Sequence, residues 1–167
     1  YWDRINSSML RFTDPRLLEW KIAAAPRHEY IPVMGAGETI YVKRTPVTNA
    51  EYAEFLCATG YPAPSNWIDG TYPTGEEELP VNFVSYEDAQ AYCNWLTEQD
   101  GTNTYRLPSE SEWELAAGHM PKDADFNCGV NEGRTPVEEY ASVTRGAHGA
   151  VDFWGNVWEW TSTVRSE

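Results

Sequence analysis

The sequence predicts an α+β domain in which three short helices and one hairpin are set in a large amount of irregular backbone. Three observations predict it: a helix-start pattern that occurs three times, an apolar run broken by Gly35-Ala36-Gly37, and two turn-rich stretches without periodicity. In the first 25 residues, Leu17, Leu18, Trp20 and Ile22 lie beside three consecutive Ala, which suggests a short helix that Pro26 ends. From Tyr30 to Val42, Ile31, Val33, Ile40, Tyr41 and Val42 flank the glycine turn, so two short strands forming a hairpin are expected.

The helix starts are Thr48-Asn49-Ala50-Glu51, Ser85-Tyr86-Glu87-Asp88 and Ser109-Glu110-Ser111-Glu112. In each, the hydroxyl can accept from a first-turn N–H that has no intrahelical partner. The acid three residues on reaches back and favours the positive end of the helix dipole. The Ser85 version is the weakest, because Asp is shorter than Glu. Tyr52, Phe55 and Leu56 follow the first cap, and Ala89, Tyr92, Cys93 and Leu96 the second, both at helical spacing. Trp113 and Ala116-Ala117 follow the third before Gly118, so three helices of about three turns each are expected. Between the first two helices, residues 60–79 form a long surface excursion with Trp67 and Tyr72 against the body and Glu76 to Glu78 in solvent. Residues 121–149 are again polar and turn-rich.

Composition bounds the function. The chain has 167 residues, enough for one domain with a core, and 41% of them are hydrophobic, which excludes a disordered chain. With 12 basic against 26 acidic side chains the formal charge is −14, which argues against a nucleic-acid partner and favours divalent cations. No apolar stretch approaches the roughly 20 residues of a membrane span. With neither an initiating Met nor a signal segment, the sequence reads as a mature form or an excised piece. Cys57, Cys93 and Cys128 have no CxxC spacing and build no disulfide framework.

Four segments carry a family resemblance. They are Thr45-Pro46-Val47-Thr48-Asn49-Ala50-Glu51-Tyr52; Pro80-Val81-Asn82-Phe83-Val84-Ser85-Tyr86-Glu87-Asp88-Ala89; Tyr105-Arg106-Leu107-Pro108-Ser109-Glu110-Ser111-Glu112-Trp113-Glu114; and Asp152-Phe153-Trp154-Gly155-Asn156-Val157-Trp158-Glu159-Trp160-Thr161. In this order, over roughly residues 30 to 162, the chain resembles the formylglycine-generating enzyme (sulfatase-modifying factor) family. The resemblance implies an irregular, C-type-lectin-like α+β fold with a small twisted antiparallel sheet. It divides the chain into an N-terminal helical and aromatic segment, 1–28, and a family domain, 29–167, that is incomplete at its C-terminus. The family holds copper-dependent oxidases, iron-dependent sulfoxide synthases and ligand-binding proteins, so fold alone does not set function.

The resemblance also supplies a metal site. Asp152, Gly155, Val157 and Glu159 align with a calcium site of the family in which two side chains and two main-chain carbonyls give oxygen. A hard Ca²⁺ wants six to eight oxygens, so waters or other loops complete the shell. A second family site begins near Asn127-Cys128, but its later partners do not align. Relatives continue into an Arg-Gly-Gly-Ser-Trp strand and a Gly-Phe-Arg segment, and the oxidases carry their copper-binding Cys in that region. None of the three Cys here matches a catalytic position. Cys57 and Cys93 fall on helix faces, the ordinary place for buried, inert thiols.

The remaining candidates have structural readings. His28, His119 and His148 stand in unrelated contexts, Arg106 is an ion-pair partner for nearby acids, Ser85 and Ser109 are caps, and two of Trp154, Trp158 and Trp160 belong to the core of a terminal strand. No catalytic or cofactor-binding residue is assigned. The expected function is a calcium-stabilised binding or scaffold module whose ligand is a protein or small molecule. A possible second chain would supply the rest of the fold. The alternative is the N-terminal part of a copper- or iron-dependent oxidase completed elsewhere. A structural subunit of a larger assembly, held by Tyr1, Trp2 and Trp20, is a third reading.

Overall fold

In a computed structural model, the structure describes residues 30–34, 39–122, 125–128, 133–146 and 148–164. The expected helix before Pro26, the N-terminal segment 1–28 and His28 lie outside them. The described architecture is α+β: a two-stranded antiparallel sheet, four helices and much irregular chain.

Strand β1 (Tyr30–Met34) pairs with β2 (Thr39–Lys43) in the register Tyr30 to Lys43 through Met34 to Thr39, the expected hairpin. Helix α1 (Asn49–Thr59) starts at Thr48, α2 (Tyr86–Asp100) at Ser85 and α3 (Glu110–Ala117) at Ser109. All three starts form complete capping boxes, Asp88 included. Each hydroxyl cap contributes about 1 kcal/mol. Gly60 and Gly101 end α1 and α2 in the left-handed conformation. The helices are less uniform than expected, with 15 residues in α2 and 8 in α3. A fourth, α4 (Ala141–Thr144), is a single turn without a side-chain cap, which is why no start signal marks it.

Two hydrophobic clusters hold these elements. Tyr52 and Phe55 of α1 meet Tyr92, Trp95 and Leu96 of α2, with Trp67 and Tyr105 added from the connecting chain. The rings meet mostly edge-on or tilted, as in Tyr52–Trp67 at 6.3 Å and Phe55–Trp95 at 5.7 Å. Such pairs contribute about 0.5–1.5 kcal/mol beyond the area they bury. The second cluster joins Val33 of β1, Ala116 and Ala117 of α3, Ala150 and Phe153, with Trp113 and Trp154 packed on it. The sheet and α3 thus carry the terminal stretch that contains Asp152 to Glu159.

The excursion over residues 60–79 is anchored as expected by Trp67, which is buried with Tyr72 against it at 5.2 Å. Its acidic end is more structural than a solvated run. The carbonyls of Glu76, Glu77 and Leu79 accept from the Asn49 side chain, the Ala50 N–H and the Asn49 N–H. The two backbone N–H groups are first-turn donors of α1 that would otherwise lack partners. Glu76 also pairs with Arg134, whose guanidinium donates to the Pro80 carbonyl.

Candidate functional site

Asp152 is 2% exposed and adopts a positive φ of 61°. Its Oδ2 accepts from the Glu138 N–H at 2.7 Å and its Oδ1 from the Thr144 hydroxyl at 3.1 Å, while the Asp152 N–H donates to that same hydroxyl oxygen. Thr144 is the last residue of α4, so the short helix places the group that orients Asp152. Burial pushes the Asp152 carboxyl above its ordinary range, against the Thr144 hydrogen bond and the charge of Arg44.

Three residues on, Gly155 has φ +85°, and a Cβ there would overlap the Phe126 carbonyl oxygen, so only glycine fits. The Gly155 carbonyl accepts from the Val157 N–H at 2.8 Å, which closes a tight turn about Asn156. The Asn156 amide acts as a two-pronged clamp: its Oδ1 accepts from the Thr135 N–H at 2.9 Å and its Nδ2 donates to the Thr135 carbonyl at 3.0 Å. The buried Asn127 donates to the Gly133 carbonyl and accepts from the Asn156 N–H on its own carbonyl. Loops 125–128 and 133–138 are thereby fixed to the terminal stretch.

Glu159 accepts from the Trp113 indole N–H at 2.6 Å. The residue keeps some solvent contact, but burial of the carboxyl is the largest influence and pushes it up to about 7, with the charge of Asp152 adding and the Trp113 bond and Lys43 opposing. Among the described residues neither Asp152 nor Glu159 forms an ion pair.

Two acids near enough to repel, both driven toward neutrality by burial that Arg44 and Lys43 offset only in part, suit a cation that would add countercharge. Each Asp152 oxygen retains a lone pair beyond its hydrogen bond, and so does the Gly155 carbonyl. Among the described residues no group of three or more His, Cys, Asp or Glu could hold a metal. A cation here would therefore draw most of its shell from main-chain carbonyls and water. The family resemblance proposes Asp152, Gly155, Val157 and Glu159; Thr144, Glu138 and Trp113 meet this stretch through tertiary contacts, and Asn156 lies within it.

Beside Glu159 opens a groove of about 510 Å³. Its walls are β2, residues 103–108 and residues 157–160, with Tyr92 and Cys93 of α2 also lining it. Arg106 forms a bidentate pair with Glu112 at 2.6 and 2.7 Å, as expected, and holds the Glu112 carboxyl down at about 2. The terminal stretch is not a strand, and the expected division of its tryptophans fails. Trp154 is half-buried, Trp158 is fully exposed, and Trp160 is half-exposed with its N–H on the Val84 carbonyl. The tight turn at Asn156 breaks the two-residue alternation that would have sent these rings inward.

Cys57 is likewise exposed, because it lies on the side of α1 away from Tyr52 and Phe55. Cys93 is half-buried and its thiol is pushed up to about 11 by burial, and Cys128 is exposed. His119 is exposed and His148 half-buried. No helix among the described residues is long and apolar enough to cross a membrane.

Residues 36–167 match the family model of the sulfatase-modifying factor enzyme 1-like domain, and the chain belongs to that family. It is 31% identical to a hercynine oxygenase of Mycolicibacterium smegmatis over 73% of this chain and 36% of the relative. To a formylglycine-generating enzyme of Mycobacterium tuberculosis it is 27% identical over 73% of this chain and 62% of the relative. An inactive C-alpha-formylglycine-generating enzyme 2 of Mus musculus is 34% identical over 52% of this chain and 33% of the relative. The chain thus spans about a third of two of these proteins and less than two thirds of the other. The structure of PvdO from Pseudomonas aeruginosa superposes with a TM-score of 0.58 at 21% identity, over 83% of this chain and 68% of that one, a likeness of fold.

Proposed function

We propose that this chain is a calcium-stabilised binding or scaffold module, with Asp152, Glu159 and the Gly155 and Val157 carbonyls as the protein's share of the calcium shell. The observation that carries the reading is the pair of acids: Asp152 and Glu159 are both shifted toward the neutral form by burial and lack an ion-pair partner among the described residues. A bound Ca²⁺ supplies charge and pins Asp152 to Glu159, and through Asn156 and Asn127 it also steadies the two irregular loops. The ligand, a protein or a small molecule, sits in the groove beside Glu159, where Trp158 and Trp160 stand at the mouth. Chelation with EGTA lowers the melting temperature of the wild-type chain, and Glu159→Ala removes that sensitivity. An unchanged melt in EGTA counts against the reading.

The second reading, a part of a copper- or iron-dependent oxidase completed by another segment or chain, is favoured by the names of two relatives, a hercynine oxygenase and a formylglycine-generating enzyme. It differs in requiring that the rest of the metal site come from outside these residues. Oxygen consumption by a reconstituted assembly, absent for the chain alone, supports it. The division into an N-terminal segment 1–28 and a family domain 29–167 belongs to both readings.

A further inference from the structure

The tripeptide Asp-Gly-Thr occurs at Asp69-Gly70-Thr71 and again at Asp100-Gly101-Thr102. The glycine of an Asp-Gly pair has no Cβ, so its nitrogen can approach the aspartate Cγ and close a cyclic imide. Local sequence makes the two copies alike, and the fold separates them.

Asp100 ends α2, and both of its carboxylate oxygens are occupied. The Tyr105 hydroxyl donates to Oδ2 at 2.6 Å, the Asn103 side-chain amide to both oxygens at 3.0 Å, and the Thr102 and Asn103 N–H groups to Oδ1 at 3.1 and 3.0 Å. The nucleophile is held as well, because the Gly101 N–H donates to the Thr97 carbonyl at 3.0 Å. Imide closure expels the carboxyl hydroxyl and so needs the protonated acid. Burial pushes the Asp100 carboxyl up, but the bonds from Tyr105 and Asn103 outweigh it and hold the group below its ordinary range.

Asp69 and Gly70 are the two central residues of a tight turn, closed by the Ile68 N–H on the Thr71 carbonyl and the Thr71 N–H on the Ile68 carbonyl, both at 3.0 Å. Their φ values of 51° and 76° are both positive, as in the mirror-image hairpin turn that Asp-Gly favours. Both residues are exposed. Among the described residues neither the Asp69 carboxylate nor the Gly70 N–H has a hydrogen-bond or ion-pair partner.

We infer that Asp69 is a site of spontaneous isomerisation to isoaspartate, and that the fold protects Asp100 in the same tripeptide. The Gly70 nitrogen bonds to the Asp69 Cγ, while the carboxyl hydroxyl and the proton of that nitrogen leave as water. Water then opens the imide. Cleavage of the nitrogen's bond to Cγ restores aspartate; cleavage of its bond to the main-chain carbonyl carbon leaves the chain running through the side chain, one carbon longer. The lengthened turn no longer matches the Ile68–Thr71 pairing, which adjoins the buried Trp67.

The test incubates the full chain folded and, in parallel, in concentrated urea, until the unfolded sample shows isoaspartate at both positions. Peptide mapping with electron-transfer fragmentation distinguishes the isomers, which have equal mass. In urea the two sites convert at similar rates, whereas in the folded chain Asp69 converts on the order of tenfold faster than Asp100, whose closure waits on local opening of the end of α2. A ratio of Asp69 to Asp100 conversion no larger in the folded chain than in urea, or no conversion of folded Asp69, overturns the inference.

Discussion

The Trp113 indole N–H donates to the Glu159 carboxylate at 2.6 Å, joining α3 to the terminal stretch. The same indole stacks edge-on against Phe153 at 5.5 Å and Trp154 at 5.3 Å. The helix that presents it is fixed by the Ser109–Glu112 capping box and the Arg106 pair. A neutral donor orients the Glu159 carboxylate but does not cancel its charge.

That arrangement sets a pH dependence. Glu159 titrates at about 7 in the fold against 4.5 as its ordinary value, so between these values the folded chain holds a proton that the unfolded chain has released. Stability is therefore greatest below about pH 4.5 as far as this group is concerned, falls as pH rises, and reaches its full deficit above about 7. The deficit is on the order of 2–3 kcal/mol, allowing for the residue's partial solvent contact. Urea melts in EGTA lose stability from pH 5 to pH 8, and Glu159→Gln flattens the profile. A wild-type profile as flat as that of the variant would contradict the assigned burial.

Gly155→Ala meets both a positive φ and the Phe126 carbonyl oxygen. The backbone must shift, which takes the Asn156 clamp off Thr135, so a loss above about 2 kcal/mol is expected. Amide exchange at residues 133–135 rises with it. A variant as stable as wild type would show that the close approach of these two segments is not required.

Thiol labelling separates the three cysteines. Cys57 and Cys128 are exposed and react readily at pH 8, whereas Cys93, half-buried with its thiol raised to about 11, reacts more than tenfold slower. Mass mapping after brief exposure to iodoacetamide checks the order. Equal modification of Cys93 and Cys57 would contradict the packing of α2.

Signals that act within a few residues were legible from sequence: the three caps, the hairpin, the burial of Tyr52, Phe55, Tyr92 and Trp67, and the Arg106 ion pair. The same logic missed α4, which has no side-chain cap, and misjudged Cys57, since hydrophobic spacing gives a face but not its limits. The terminal tryptophans were misjudged because alternation assumes a straight strand, while Asn156 at φ +60° turns the chain between Trp154 and Trp158. At the candidate site, the family resemblance proposes Asp152, Gly155, Val157 and Glu159 as metal ligands. Their partners Thr144, Glu138 and Trp113 come from elsewhere in the chain, and no local pattern pairs them with this stretch.

Calorimetric titration of Ca²⁺ into chelator-stripped protein at pH 8, where Glu159 is ionised, is the most direct test of the metal assignment. One equivalent bound by the wild-type chain, with binding lost in Asp152→Asn and Glu159→Gln variants that retain native circular dichroism, is the predicted result. No binding heat in the wild type at any temperature tried, or binding undiminished in both variants, would contradict it.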